Sequence, residues 1–401
     1  MARLFEGIRV VDFTNNAAGP ICASILADYG AEVIHLERPV VGDDGRMFGP
    51  YVDGKGAMFL WLNRGKKSIT VDLGDEEGRK IAHDLILTAD VVIENFRPGI
   101  MKKFGLDYAT LKQEHPQLVY CSISAYGQDG PYAQKPGYDL IAQAMSGVLD
   151  LTGDPDGIPY RSGVVLADYN AGFNGYAGIA MALYYREKAG IGQHVDVALV
   201  DCLLAMNSTV ENAELGGVTH RTGNHQHALA PFGLFAGSDG FAVICAPNNK
   251  LWGLLAAAMG KPELSTDPRF LTAKARIENL PLLIAEVEGW LKGYAHVEEP
   301  IAIMDKAGIP ACKVYQTGDI IKDEHLRARG MITKMKTPTD MPSIDEITCR
   351  GVHLKFSETP GALGVAPMLG EHNYEILAQV GYDKAAVDAV QARWARKSEK
   401  I

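Results

Sequence analysis

Asp168 closes an apolar run, Gly163-Val164-Val165-Leu166-Ala167, and a helical stretch studded with glycine follows at once: Asn170-Ala171-Gly172-Phe173-Asn174-Gly175-Tyr176-Ala177-Gly178. Read as the end of a buried strand beside bare backbone, this carboxylate has the setting of a nucleophile that a bulky substrate must approach. From these residues alone an N-cap or turn aspartate fits as well, and it is the commoner use of the residue. No other nucleophile motif competes with it. The chain has no G-x-S-x-G elbow, no P-loop and no H-E-x-x-H, and it offers a single glycine where G-x-G-x-x-G would follow the first strand.

A second constellation is Glu94-Asn95-Phe96-Arg97-Pro98-Gly99-Ile100-Met101-Lys102-Lys103-Phe104-Gly105. It places cations and phenyl rings where a strand gives way to a loop. A phosphate-rich ligand bearing an adenine needs both, cations for the phosphates and an apolar face for the base. Arg38 ends the second predicted strand and adds a cation on the same edge. A solvated basic patch accounts for the loop equally well until the acidity of the whole chain is considered, with its formal net charge of −10.

The elements that must position these residues alternate. Ile8–Phe13, Glu32–Glu37, Ser68–Leu73, Val91–Phe96 and Leu118–Ser124 are short runs rich in β-branched residues, and Ile21–Tyr29 and Glu76–Thr88 between them read as helices. The expected fold is α/β, a Rossmann-like, mostly parallel sheet covered on both faces, with ligands at the carboxyl ends of its strands. His194–Val200 reads as a further strand. Gly172, Gly175 and Gly178 share one helix face, and three glycines there, at about 1 kcal/mol each, imply close approach of a partner helix or a second subunit. The domain reading is a large domain over 1–211, a linker over 212–231, a smaller α/β domain over 232–330, and a return to the large domain over 331–401.

Composition bounds the rest. With 401 residues, 47% hydrophobic and 22% charged, the chain can bury a large core. Its acidity argues against nucleic acid and against a polybasic membrane patch. The start, Met1-Ala2-Arg3-Leu4-Phe5-Glu6-Gly7, lacks the apolar core of a signal peptide, and no apolar run reaches transmembrane length. Six scattered cysteines without a C-x-x-C pair suit a reducing cytoplasm. His220, His225 and His227 lack a cysteine or carboxylate partner and read as a solvated or substrate-lining loop, so no metal is expected. Glu371-His372 reads as a cap before an amphipathic helix, and Asp12 is open between a core-edge and a ligand-loop position.

Residues from end to end resemble the class III coenzyme A transferases, also called the formyl-CoA transferase or carnitine-CoA transferase family. They include Gly7-Ile8-Arg9-Val10-Val11-Asp12-Phe13-Thr14, Ala18-Gly19-Pro20, Gly30-Ala31-Glu32-Val33-Ile34, Asn63-Arg64-Gly65-Lys66-Lys67-Ser68-Ile69 and the E-N-F-R-P-G run. Asp139 to Gly147, Ala167-Asp168, Gly192-Gln193-His194-Val195-Asp196-Val197 and Leu369-Gly370-Glu371-His372 complete the set. Within the family the likeness is greatest to transferases of small carboxylic acids. The resemblance implies Asp168 as the catalytic aspartate and coenzyme A contacts at Asn16, Ala17, Ala18, Arg38, Val71, Asn95, Phe96 and Arg97. It places a further contact at Lys103 or Phe104 and a substrate-side tyrosine at Tyr138. It implies acyl-CoA as substrate, no permanently bound cofactor, and an interlocked homodimer that would account for the glycine face.

Two departures narrow the substrate. Ala17 stands where formyl-CoA transferases carry glutamine, and their run of four glycines is absent, with Gly223 to Pro231 in that region. Both point away from formyl-CoA:oxalate exchange. An α-methylacyl-CoA racemase is the enzymatic alternative, but Tyr138-Asp139 occupies the stretch where its acid–base histidine would fall. A non-catalytic acyl-CoA-binding homologue is the other.

Overall fold

The computed structural model describes residues 3–398. Residues 1, 2 and 399–401, at the ends of the segments read as the large domain, lie outside the described residues. The described chain forms two compact units, one of residues 3–146, Gly163–Asn207 and residues 324–398, the other of Gly147–Ser162 and Ser208–Asp323. Residues 212–231 lie inside the second.

The first unit is built on a six-stranded sheet: β1 (Arg9–Asp12), β2 (Glu32–Glu37), β3 (Lys67–Thr70), β4 (Val91–Glu94), β5 (Val119–Ser124) and β6 (His194–Ala198). The spatial order is β3-β2-β1-β4-β5-β6 and every pairing is parallel. All but the edge strand β6 are buried on both faces, which explains why they read as continuous apolar runs. Strand order reverses between β1 and β4, so the loops after these two strands diverge and open a crevice at their carboxyl ends.

Four helices of this unit matter for the site: α1 (Ala18–Asp28), α2 (Glu76–Ile86), α3 (Asp139–Met145) and α4 (Leu166–Ala189). α1 is buried along its whole length, as expected of a helix held between a sheet and another helix. The other helix is α4. A Cβ at Gly172 would lie 2.8 Å from the Ala18 carbonyl oxygen, one at Gly175 would meet Cys22 and Ile123, each at 3.1 Å, and one at Gly178 would lie 2.6 Å from Val195. The glycine face is therefore filled within one chain, by α1 and strands β5 and β6, and needs no second subunit to explain it.

Gly163–Ala167 is not a strand. Val164 is 63% exposed, and the helix begins at Leu166, so Asp168 sits in the first turn of α4. Five apolar residues cannot by themselves distinguish a strand from the entry to a helix.

The second unit carries an antiparallel sheet of β7 (Phe232–Ala236), β8 (Phe241–Cys245) and β9 (Ala311–Lys313), in the order β9-β8-β7. Helices α5 (Asn249–Ala258), α6 (Leu280–Leu291) and α7 (Glu298–Lys306) accompany it, around a core that includes Trp252, Phe270, Leu283 and Val287. After it, α8 (Asn373–Ala378) and α9 (Lys384–Ser398) pack Ile376, Leu377, Val390 and Trp394 against Ile34, Ile69 and Leu85 of the first unit. His372 stands at the cap position of α8 and is tied to β3 at both ends. Its N–H donates to Ser68 O (2.9 Å) and its Nδ1 accepts from Ser68 N (3.2 Å). No helix among the described residues is long and apolar enough to cross a membrane.

The α1–α4 contact yields a test. Gly172→Val forces a branched side chain against the Ala18 carbonyl and Ile21, and is expected to lower stability by about 2 kcal/mol. A urea midpoint unchanged from the parent would show that the two helices can separate freely.

Candidate active site

The loop after β1 is shaped by its own polar residues. Asn15 and Asn95 exchange hydrogen bonds across the crevice: Asn15 N–H donates to Asn95 Oδ1 (2.9 Å), and Asn95 Nδ2 donates to the Asn15 carbonyl (2.8 Å). Asn16 takes a left-handed conformation, φ 66°, which asparagine tolerates better than most residues. α1 then starts at Ala18 behind Ala17, whose methyl cannot cap it. The first N–H groups of this eleven-residue helix are thus left for a ligand, and a helix start of this kind favours an anion.

A cavity of about 370 Å³ lies at this edge. Asn16, Ala17, Ala18, Arg38, Asn95, Phe96, Arg97, Tyr138 and Asp168 all line it, although they come from five separate stretches of sequence. Val71 and Phe104 do not. They line a second, more apolar cavity of about 400 Å³ together with Arg38, Phe96 and Asn15. The two cavities therefore share a cation and an aromatic ring. Lys103 is exposed and lines neither.

The cations differ in their restraint. Arg38 donates to the Gly42 carbonyl (3.2 Å) and is ion-paired with Asp44, so an arriving phosphate must compete with a carboxylate. Arg97 is exposed and makes no ion pair among the described residues. Behind the loop, Glu94 is buried and accepts from Phe96 N (2.9 Å), and burial pushes its carboxyl up to about 7.

Asp168 is half-buried and accepts no hydrogen bond from any described residue. Burial, then the nearby Asp139 carboxylate, raise its pKa from the ordinary 3.8 to about 7. Asp139 has a second task. The N-cap of α4 is Val165, which has no capping side chain, and Asp139 Oδ1 instead accepts from Ala167 N at 2.6 Å. Its Oδ2 accepts from Gln143 Nε2 (2.7 Å), one turn along α3. One carboxylate thus caps the helix that carries the other.

Chemically the site offers a carboxylate of raised basicity facing a cavity that also holds cations and an uncapped helix start. Lys135, Asp44 and Asp139 belong to the site or its frame and were not singled out from sequence. Lys135 stands in Lys135-Pro136-Gly137-Tyr138, and a lysine in a Pro-Gly loop three residues before Tyr138 is the signal that could have found it. The capping by Asp139 joins residues 28 apart and left no local trace. Tyr138 is 76% exposed, so its ring is free to meet a ligand. His225 packs edge-on against Phe235 at 4.9 Å, and burial lowers its pKa.

The raised carboxylate sets a stability test with a definite sign. Because Asp168 holds its proton more tightly folded than unfolded, the native chain loses stability as pH rises from about 4 through about 7. Asp168→Asn, which never bears the charge, should be more stable than the parent at pH 8 by on the order of 2 kcal/mol, the figure reduced for partial solvent screening. The gap should close by pH 4. A variant less stable than the parent at pH 8 would mean that the carboxylate is not held under strain.

Comparison with known proteins places the chain in a family. A family model described as CoA-transferase family III matches residues 5–373. The acetyl-CoA:oxalate CoA-transferase of Acetobacter aceti is 40% identical over 337 residues, 82% of this chain and 85% of that protein. The succinyl-CoA–D-citramalate CoA-transferase of Chloroflexus aurantiacus is 37% identical, with 94% of each covered. Among solved structures, a CAIB/BAIF family protein from Brucella suis superposes with a TM-score of 0.84 at 37% identity, covering 95% of this chain and 100% of that one.

Proposed function

From the premise that this chain belongs to CoA-transferase family III and is a transferase, we propose that it moves coenzyme A from an acyl-CoA to a small carboxylic acid through a covalent adduct on Asp168. The observation that carries the reading is that Asp168 faces the same cavity as Arg38, Asn95, Phe96 and Arg97. Named relatives act on oxalate and on D-citramalate, which supports a small carboxylate as acceptor.

The chemistry follows from what a carboxylate can do without water. An oxygen of Asp168 attacks the thioester carbonyl carbon, the C–S bond breaks, and coenzyme A leaves as thiolate. The product is a mixed anhydride. The thiolate then attacks the aspartyl carbonyl, the anhydride C–O bond breaks, and the donor acid departs as carboxylate. Asp168 is left as a thioester of coenzyme A. The acceptor carboxylate attacks that carbonyl, expels the thiolate again and forms a second anhydride. Attack of the thiolate on the acceptor's acyl carbon completes the new acyl-CoA and restores the aspartate. No net proton, electron or water is consumed.

Each part has a candidate. Arg38 and Arg97 hold phosphates, the uncapped start of α1 receives negative charge, and Phe96 with Val71 and Phe104 gives the adenine an apolar face. Lys103, exposed on the short helix Ile100–Phe104 that follows the same loop, is the outlying candidate for a phosphate. Tyr138 stands on the acid side. The six unpaired thiols suit a cytoplasmic enzyme. A homodimer is supported by an apolar stripe on the outer face of α4, where Phe173, Met181, Tyr184 and Tyr185 are all exposed.

The decisive experiment is to incubate the protein with acetyl-CoA or succinyl-CoA, quench with hydroxylamine, and map the modified residue by mass spectrometry. A hydroxamate on Asp168 is expected, and Asp168→Ala should lose transfer by at least about three orders of magnitude. Full transfer in that variant, or α-proton exchange in deuterated water without acyl exchange, would overturn the reading. Arg38→Ala and Arg97→Ala should each raise KM for the acyl-CoA about tenfold with kcat little changed.

A further inference from the structure

Beneath the β1 loop lies a cluster of charges that the transfer chemistry does not use. Asp12, the last residue of β1, pairs directly with His35 across the sheet. Both side chains point away from the core that holds Val11 and Ile34, and both are inaccessible to water. Asp12 Oδ1 accepts from Thr14 N (2.9 Å) and Thr14 Oγ (2.6 Å), and its Oδ2 from Lys66 Nζ (2.7 Å). His35 Nδ1 lies 3.1 Å from Asp12 Oδ2, and His35 Nε2 lies 3.4 Å from Asp43 Oδ2. Asp43 is buried too, and its Oδ1 accepts from Gly45 N (2.7 Å) and from Asn16 N (3.1 Å). The chain of contacts therefore runs from the sheet interior to the left-handed residue of the ligand loop.

We propose that His35 is a positioning residue for coenzyme A binding: as an imidazolium between Asp12 and Asp43, it fixes Asn16 and hence the Asn15–Ala17 loop. This rests on the coenzyme A reading of that loop. Two arguments carry it. A neutral imidazole would turn a bare lone pair toward one of the two carboxylates that flank it. Charge balance requires the same state. Asp12, Asp43 and Glu37 face Lys66 and Arg46, with Arg46 held on Glu37 at 2.6 Å, and a protonated His35 supplies the third positive charge. The Phe59 ring is its apolar neighbour. Burial disfavours the charge, but Asp12 and Asp43 outweigh burial and Lys66 and lift His35 to about 9. The loop is thus set by a cation that touches no ligand.

Nitrogen NMR of the histidine rings in the intact wild-type protein at pH 8 provides a readout that needs no variant. One buried ring should have both nitrogens protonated, its signals absent from His35→Gln, and a ring found neutral at pH 8 would overturn the proposal. Calorimetric titration with coenzyme A and steady-state kinetics give the second readout. His35→Gln is expected to weaken coenzyme A binding and raise KM for acyl-CoA tenfold or more, with kcat at saturation falling less than threefold. Binding and KM equal to wild type would overturn the proposal, as would a fall confined to kcat. Failure of the wild-type protein itself to bind coenzyme A would instead remove the transferase reading on which the proposal rests.

Discussion

The contact between α1 and α4 governs where everything else can be. α4 carries Asp168 in its first turn, and α1 begins where the β1 loop ends. The two can bring their N-termini to one cavity because Gly172 and Gly175 present no side chain to Ala18, Cys22 and Ile123. Any larger residue at these positions would move α4 outward and carry Asp168 away from Arg97 and Asn95. Glycine costs a helix about 1 kcal/mol per position relative to alanine, and a helix of 24 residues that accepts this cost on one face does so for proximity. The reversal of strand order between β1 and β4 supplies the opening, and the glycine face supplies the approach.

Electrostatics at the cavity follow from that geometry. Arg38, Arg97 and Lys135 line one cavity with Asp168, which is partly buried near a second carboxylate. Asp139 is stabilised there because it caps α4 through Ala167 N and takes a further bond from Gln143. Asp168 has no such compensation. Of two adjacent acids one is satisfied and the other is left basic, a division that pairs of carboxylates at functional sites often show.

Much of this was legible in the sequence, for reasons that can be named. Buried parallel strands are short and rich in β-branched residues, so Glu32–Glu37 could be delimited to the residue. The spacing of Gly172, Gly175 and Gly178 announced a close approach, but could not say that the approaching element was α1 and not a second subunit. Gly163–Ala167 misled, because an exposed helix entry and a buried strand share the same few apolar residues. His35 was invisible for the opposite reason. A histidine in an apolar strand reads as core, and only the register that sets it beside Asp12, with Asp43 folding over, shows what it balances. Contacts distant in sequence, such as Asp139 with Ala167, leave no periodicity to read.

The raised basicity of Asp168 acquires a purpose on the proposed chemistry. A buried carboxylate beside Asp139 is destabilised as an anion, and both anhydride and thioester remove its charge. The environment that raises its pKa therefore also favours the covalent states over the free enzyme. The same change lowers the barrier to the acceptor, since a small carboxylate approaching ionised Asp168 meets a like charge that is gone once the aspartate is acylated. Transfer in two stages is thus an electrostatic requirement as much as a chemical one. The second anion can enter only after the first has been neutralised, and the carboxylate that must be neutralised is the one the fold leaves without a hydrogen bond.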